Sequence, residues 1–452
     1  MPQPNLLTAP VKPLILKIAL PSMLAMIASS LCTLFDALLL SRFGAQHAAA
    51  AAVSFPLLSW IQTLGFTLGM GAGSFLSRCL GSSNPDAART AASTAFFCAI
   101  ALSCLLCAAG FLFAPSLVSA LGAQPDSIAL SAAYARYVLA SGPLLCMSLV
   151  LSSLLRAQGN TLPNMLAFSG GAVIGIGLLF MLVPRRGVHG AGVSMLMREG
   201  ATLLLLLLFS LRKKSPARPG WRAVSLKLSV FRDIMRSGAP TLLRQGLTSV
   251  SSGMLTRIAS AYGEAALAGI GLSVRALSLV SAAVIGFGQG FQPVCGAAYG
   301  AGQTDRMRTA YRFCMRAVVI TLAAVGTALF FLSRPLLALF SPDAQTLEMA
   351  NSALRAQSVV LFAQGAVIMM NMLAQAAGMT LRASIVATSR QGFVLIPLLW
   401  LLPRFFGLNG LILSQSVSDL ISLALCLLVM RGAIRDCACA RGGCSDARKA
   451  SR

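Results

Sequence analysis

Residues 69–81 read GMGAGSFLSRCLG and residues 288–300 read GQGFQPVCGAAYG, with glycine at three shared positions. The offset between them is that of Pro240 from Pro21 (240 − 21 = 219), and it holds outward from both stretches. At that shift Pro21, Leu24 and Ser30 fall on Pro240, Leu243 and Ser249, and Gly44 and Ala49 on Gly263 and Ala268. Ser54 and Leu58 fall on Ser273 and Leu277, and Arg89 and Ala91 on Arg308 and Ala310. After one inserted residue, Gly187, Gly190 and Ser194 match Gly407, Gly410 and Ser414. Chance similarity between apolar segments would not keep glycines and loop residues in one register, so the chain is read as two copies of one plan.

The solvent of that plan is a bilayer. The chain is 57% hydrophobic and 11% charged, with a mean hydropathy of +0.79, too apolar for a surface wetted by water. Apolar runs such as 14–40, 91–113 and 408–430 are long enough to span, and about twelve can be placed, given roughly 20 residues per span. Alternating barrel-type strands are absent, so each run is expected to be helical, with its backbone groups satisfied internally. The fold class is therefore an all-α membrane protein of about 12 transmembrane helices in two pseudo-symmetric six-helix lobes. Residues 1–211 form the expected N-terminal lobe, 212–236 a basic cytoplasmic linker, 237–435 the C-terminal lobe and 436–452 a basic cytoplasmic tail. An even number of spans per copy gives both lobes the same orientation, which makes them parallel repeats with a solute path between them.

The net charge of +24 does not point to nucleic acid, because the basic residues form no amphipathic or aromatic-interleaved module. They lie mostly in loops on one side, a distribution that places both termini in the cytoplasm and the multi-pass chain in the cell membrane. The densest stretch, Arg212, Lys213, Lys214, Arg218, Arg222, Lys227, Arg232 and Arg236, is read as a topology signal resting on anionic lipid. No cleavable signal peptide is expected, since the first apolar run lacks a small-residue cleavage site and takes part in the repeat. Most cysteines lie in apolar helices as small packing residues. Cys437, Cys439 and Cys444 are read as part of a reduced tail rather than as metal ligands.

Catalysis has little support. His47 and His189, both expected in outer loops, are the only histidines, and no P-loop occurs. The chain is read as a non-enzyme without a cofactor, its transport driven by an ion gradient of protons or sodium. Attention falls on the carboxylates within apolar runs, Asp36, Glu199 and Asp419, because such groups are costly in a membrane and usually functional. Asp36, in the outer half of the first helix, is a candidate to take and release a proton or to ligate sodium; the alternative is a satisfied structural carboxylate. Glu199 and Asp419 occupy equivalent positions in the sixth and twelfth helices. They either face the substrate cavity together or bond to polar groups of their own lobes. Arg198 points to a different side of its helix from Glu199 and is not expected to partner it.

Arg275, which stands where the first copy has Pro56, is a candidate buried cation that pairs with a membrane carboxylate or snorkels outward. Gln289 and Gln292 either line the path or bond across helices. Met147, Met369, Met370 and Met372 read as packing, or as an adaptable binding wall. Gly65, Gly69, Gly71 and Gly73, with Gly286, Gly288 and Gly290, read as sites of close helix approach, or as points where a helix bends.

With these residues in view, the chain resembles the MATE family of multidrug and toxic-compound extrusion transporters over nearly its whole length. The resemblance rests on Pro21 with Asp36, on Gly69 to Gly73 running to Ser77, Arg78 and Gly81, and on Gly286 to Pro293 leading to Tyr299 and Gly302. It rests also on Arg390-Gln-Gly392 with Pro397, and on Gly407-Leu-Asn-Gly410 before Asp419. It implies export of amphipathic, often cationic drugs in antiport with protons or sodium, with Asp36 as the coupling residue; the two lobes rocking against each other would give alternating access, and they suffice for a path within a monomer. The chain departs from the family in the fifth helix, where Gly175 and Leu179 stand in place of an Asn and an Asp. The alternative function is a flippase for a lipid-linked precursor, which a cavity made cationic by Arg275, Arg244 and Arg198 would suit.

Overall fold

The computed structural model describes residues 6–42, 45–121, 128–212, 219–225, 227–338 and 343–433. The expected tail 436–452, with its three cysteines, and Lys213, Lys214 and Arg218 of the basic stretch lie outside these residues.

Helices account for nearly all of the described chain: α1 (Val11–Arg42), α2 (Ala45–Gly81), α3 (Pro85–Leu112), the short α4 (Ala114–Ala120), α5 (Ile128–Ala157) and α6 (Leu162–Arg212) in the first half. The second half comprises α7 (Leu228–Ala261), α8 (Glu264–Gly300), α9 (Thr304–Ala338), α10 (Ala344–Val359), α11 (Leu361–Ala376), α12 (Thr380–Thr388) and α13 (Leu395–Val429). A π-helical turn, Ser389–Phe393, joins α12 to α13. Twelve membrane passes follow, in two lobes of six. Two helices hold more than one pass because glycine breaks them. Gly187 in α6 (φ +53) and Gly407 in α13 (φ +54) turn the chain where a side chain would be strained, and the two are equivalent in the repeat. α10 and α11 form one pass bent by 55°. α7 is the least apolar of the spanning helices, since it carries Arg232, Asp233, Arg236 and Arg244.

Because α7 begins at Leu228, Arg232 and Arg236 of the expected linker sit on its first turns. Ahead of it, the connecting segment is tied to α3: the Gly220 amide donates to Ser93 Oγ at 3.1 Å and the Ser225 amide to Thr94 Oγ1 at 3.1 Å.

The lobes interlock. Leu14, Ile15, Ile18 and Ala19 at the start of α1 are packed into a core with Phe291 and Val294 of α8, Cys314 of α9 and Met369 of α11. Conversely Ile234, the repeat equivalent of Ile15, is packed into the first lobe's core with Leu68, Leu151 and Leu206. The paired glycines make this possible. A Cβ on Gly71 would stand 2.3 Å from the Ile234 carbonyl oxygen, and one on Gly290 would stand 2.3 Å from Ala19 Cα. A second symmetric contact follows at the helix ends, where Gly81 would meet the Ala297 oxygen at 2.1 Å and Gly300 the Arg78 oxygen at 2.2 Å. Close approach without side chains is how helices gain van der Waals contact in lipid, where burial of apolar surface gives no advantage over the tails. The outward faces carry the complementary pattern, with Leu112, Phe331, Leu381 and Phe405 all exposed.

Candidate functional site

Two neighbouring spaces among the described residues bear on function. The larger, about 410 Å³, has Met26 and Ser30 of α1 and Phe66 and Met70 of α2 on one side, and on the other α7, α8, α11 and the π-helical turn. The smaller, about 170 Å³, lies in the first lobe and shares Met26, Ser30 and Phe66 with it.

Arg198 and Glu199 line the smaller space, and the structure revises how the first lobe's two carboxylates, Asp36 and Glu199, are held. Arg198 is the common partner: its Nη1 donates to Asp36 Oδ2 at 2.8 Å and its Nε to Glu199 Oε1 at 3.1 Å. The expectation that Arg198 and Glu199 do not pair is thereby overturned. The two Cβ directions do differ by a helical step, but the long arginine stem curls back so that separate edges of one guanidinium serve two carboxylates. Room for that stem comes from Gly175 on the first limb of α6, for a Cβ there would stand 2.8 Å from Arg198 Cδ. Leu179, one turn further along the same limb, is a buried packing residue. Arg156, which the sequence reading did not single out, also faces this space, with Nη1 on Ser152 Oγ at 2.5 Å and Nη2 on Ser153 Oγ at 2.8 Å.

In the second lobe Asp419 is fully buried and accepts from Arg390 Nε and from Gln357 Nε2. Arg390 sits in the π-helical turn, its carbonyl bonded by Ser418 Oγ at 2.8 Å, and it lines the larger space while Asp419 stands behind it. Of the two readings of the Glu199 and Asp419 pair, the structure displays bonding within each lobe. The equivalence is broken in an informative way, because the neutralising arginine precedes the acid in one lobe and comes from another helix in the other. The counterpart of Arg390 in the first lobe is Gly171, whose missing Cβ would meet Thr202 Oγ1 at 2.0 Å.

Gln289 lines the larger space, its Oε1 buried and without a hydrogen-bond partner among the described residues. Gln292 bonds across helices instead: its Nε2 donates to Gln375 Oε1 at 3.1 Å, and Gln375 Nε2 donates to Asn371 Oδ1 at 2.8 Å. Arg275 is exposed, not buried, and lines neither space. Val274, Leu277, Ser278 and Ser281 of α8 form the stripe that faces the larger space, and Arg275 is off that stripe. His189, expected in a loop, lies on α6 beyond the break at Gly187, with Nδ1 3.4 Å from Tyr137 Oη. Met372 lines the larger space, whereas Met369 and Met370 are buried in packing clusters. Among the described residues no group of three His, Cys, Asp or Glu side chains could hold a metal ion.

Arg244 is the cation that the sequence reading named only in passing. It lines the larger space from α7, and no hydrogen bond or ion pair of its guanidinium is found among the described residues. The signal that could have found it is an arginine inside a membrane-spanning segment with no carboxylate a helical turn away.

Comparison with known proteins places this architecture. The MatE family profile matches residues 21–181 and again 240–401, two copies whose starts are separated by the same offset as the internal repeat. The multidrug export protein MepA of Staphylococcus aureus is 23% identical over 429 residues, covering 93% of this chain and 94% of that protein. MepA of Staphylococcus saprophyticus is 22% identical over 415 residues, covering 91% and 92%. Among solved structures, a mutant of the Vibrio cholerae MATE transporter VcmN superposes with a TM-score of 0.88 at 21% identity, over 94% of this chain and 97% of that one. A MOP-superfamily transporter from Pyrococcus furiosus gives a TM-score of 0.90 at 23% identity, over 97% and 99%. These superpositions carry the fold, and with the profile matched in both lobes across most of the chain's length, the chain belongs to the MatE family.

Proposed function

We propose that the chain is a secondary active exporter of amphipathic compounds, driven by inward movement of a proton or a sodium ion and working by alternating access. The observation that carries this reading is the space of about 410 Å³ walled by helices of both lobes, which pivoting of one lobe against the other would expose first to one side of the membrane and then to the other. Its relatives named multidrug export proteins support the same direction and substrate breadth. The basic-residue distribution supports cytoplasmic termini for a multi-pass chain in the cell membrane, and the presence of both walls of the space in one chain supports a monomeric path.

Asp36 is the proposed coupling residue. An incoming cation would compete with Arg198 for it, so that ion binding frees the arginine onto Glu199 and alters the contact between α1 and the second limb of α6. Arg198 thereby serves as a tethered counter-ion that keeps Asp36 satisfied when no ion is bound.

Efflux of a fluorescent amphipathic dye from energised vesicles, with proton and sodium gradients imposed separately, tests the reading. Stimulation by one gradient, lost in Asp36→Asn, is the expected result. No stimulation by either gradient in inserted protein would overturn it and favour flipping of a lipid-linked precursor.

A further inference from the structure

The charged side chains that line the larger space are Arg244 and Arg390; no carboxylate lines it among the described residues. Arg390 is matched by Asp419 behind it, but Arg244 has no matching acid among the described residues. A cation held in a membrane interior without a counter-ion is unfavourable, and such groups mark substrate paths. The guanidinium also presents a planar fork of donors that fits a carboxylate or phosphate through two parallel hydrogen bonds. Gln245 and Gln289 line the same space with polar amides, as do Gln364 and Asn371, which already donate to Ser281 Oγ and the Ala383 oxygen, while Met26, Phe66 and Met70 on the facing wall offer an apolar, adaptable surface.

We infer that the larger cavity receives an amphipathic compound with an anionic head, a carboxylate, sulfonate or phosphate, held by Arg244 with Arg390 beside it. This rests on the transport reading above and assigns the substrate class to it. A cationic head would meet two like charges there and no acceptor acid. Nor is the smaller space an easy alternative for a cation, since Arg156 and Arg198 both line it and Arg198 already occupies Asp36 and Glu199. The apolar body of the compound would lie against the methionines and Phe66, whose packing tolerates varied shapes, so the head fixes orientation while the tail varies.

The test uses two probes with one body and opposite heads, pyrenebutyrate and pyrenebutyltrimethylammonium, titrated calorimetrically into the full chain in lipid nanodiscs, with empty nanodiscs subtracted. The anion is expected to bind at least tenfold more tightly than the cation. Arg244→Gln should lose at least tenfold of the anion affinity, Arg244→Lys should recover part of it, and Arg275→Gln should leave it unchanged. Equal binding of the two probes, preference for the cation, or an Arg244→Gln protein that keeps its anion affinity would overturn the proposal. Competition by dodecyl phosphate then separates the sources of the head: displacement of pyrenebutyrate supports a lipid-type phosphate, and failure to displace it supports a carboxylate compound. Because binding needs no gradient, the two readings fail separately. Arg244-dependent anion binding in a protein that exports nothing would overturn only the transport reading, and export of a cation without anion binding would overturn only this one.

Discussion

The Cβ that Gly175 lacks would stand 2.8 Å from Cδ of Arg198, so the first limb of α6 is bare at the place where the arginine stem passes toward Asp36. The room left beside Gly175 is filled by a cation from the neighbouring pass.

That arrangement sets the stability of the first lobe. In Arg198→Gln, Asp36 and Glu199 would face each other without their shared cation, and loss of one partner of a buried ion pair costs about 3–5 kcal/mol. Thermal unfolding of purified protein should show the drop, and the double variant Arg198→Gln with Glu199→Gln should recover most of it. Independent, additive effects of the two changes would refute the shared pair.

The sign of the substrate head predicts an electrical signature. If an anion leaves as a monovalent cation enters, both steps carry positive charge inward, and each contributes about 2.3 kcal/mol per 100 mV of inside-negative potential. Export from potassium-loaded proteoliposomes should therefore accelerate when valinomycin imposes that potential. Exchange of one cation for another would be insensitive to it.

The glycines between the lobes differ sharply from those facing outward. Gly71→Ala would drive a methyl into the Ile234 carbonyl and should lower both melting temperature and export. Gly253→Ala, on an exposed stretch of α7 with nothing within 4 Å, should raise stability by up to about 1 kcal/mol through helix propensity alone. A melting curve for each variant decides, and identical behaviour would show that the seam does not depend on close approach.

At the break in α13 the cost is conformational. Gly407 has φ +54 and no atom near a built Cβ, so Gly407→Ala should destabilise by about 1–2 kcal/mol without any steric clash. Unfolding of the variant in detergent would measure it.

Much of this was legible in the sequence. Glycine at 71 and 290, proline at 21 and 240, and the one-residue insertion before Gly407 revealed the duplication, since symmetric contacts constrain both copies alike. The site was less legible. Arg198 and Glu199 were read from their Cβ directions, which limit short side chains but not a stem whose tip reaches back over its own helix. Arg390 stands in the sequence only as part of the family resemblance, and its pairing with Asp419 is not legible there because it depends on a π-helical turn, which no local composition announces. Arg275 and Arg244 look alike as lone cations in apolar runs; only the packing of α7 and α8 decides which of them faces the cavity.

The interlocking of the lobes bears on how the protein is made. Ile234 completes a core whose other members, Leu68, Leu151 and Leu206, are synthesised earlier, and Leu14 to Ala19 wait for Phe291. A nascent chain that has released only its first six passes thus holds a lobe with a missing wedge and a first helix whose opening turns have no seat. The second copy does not merely join a finished first one during biogenesis; its opening helix is the piece that finishes it.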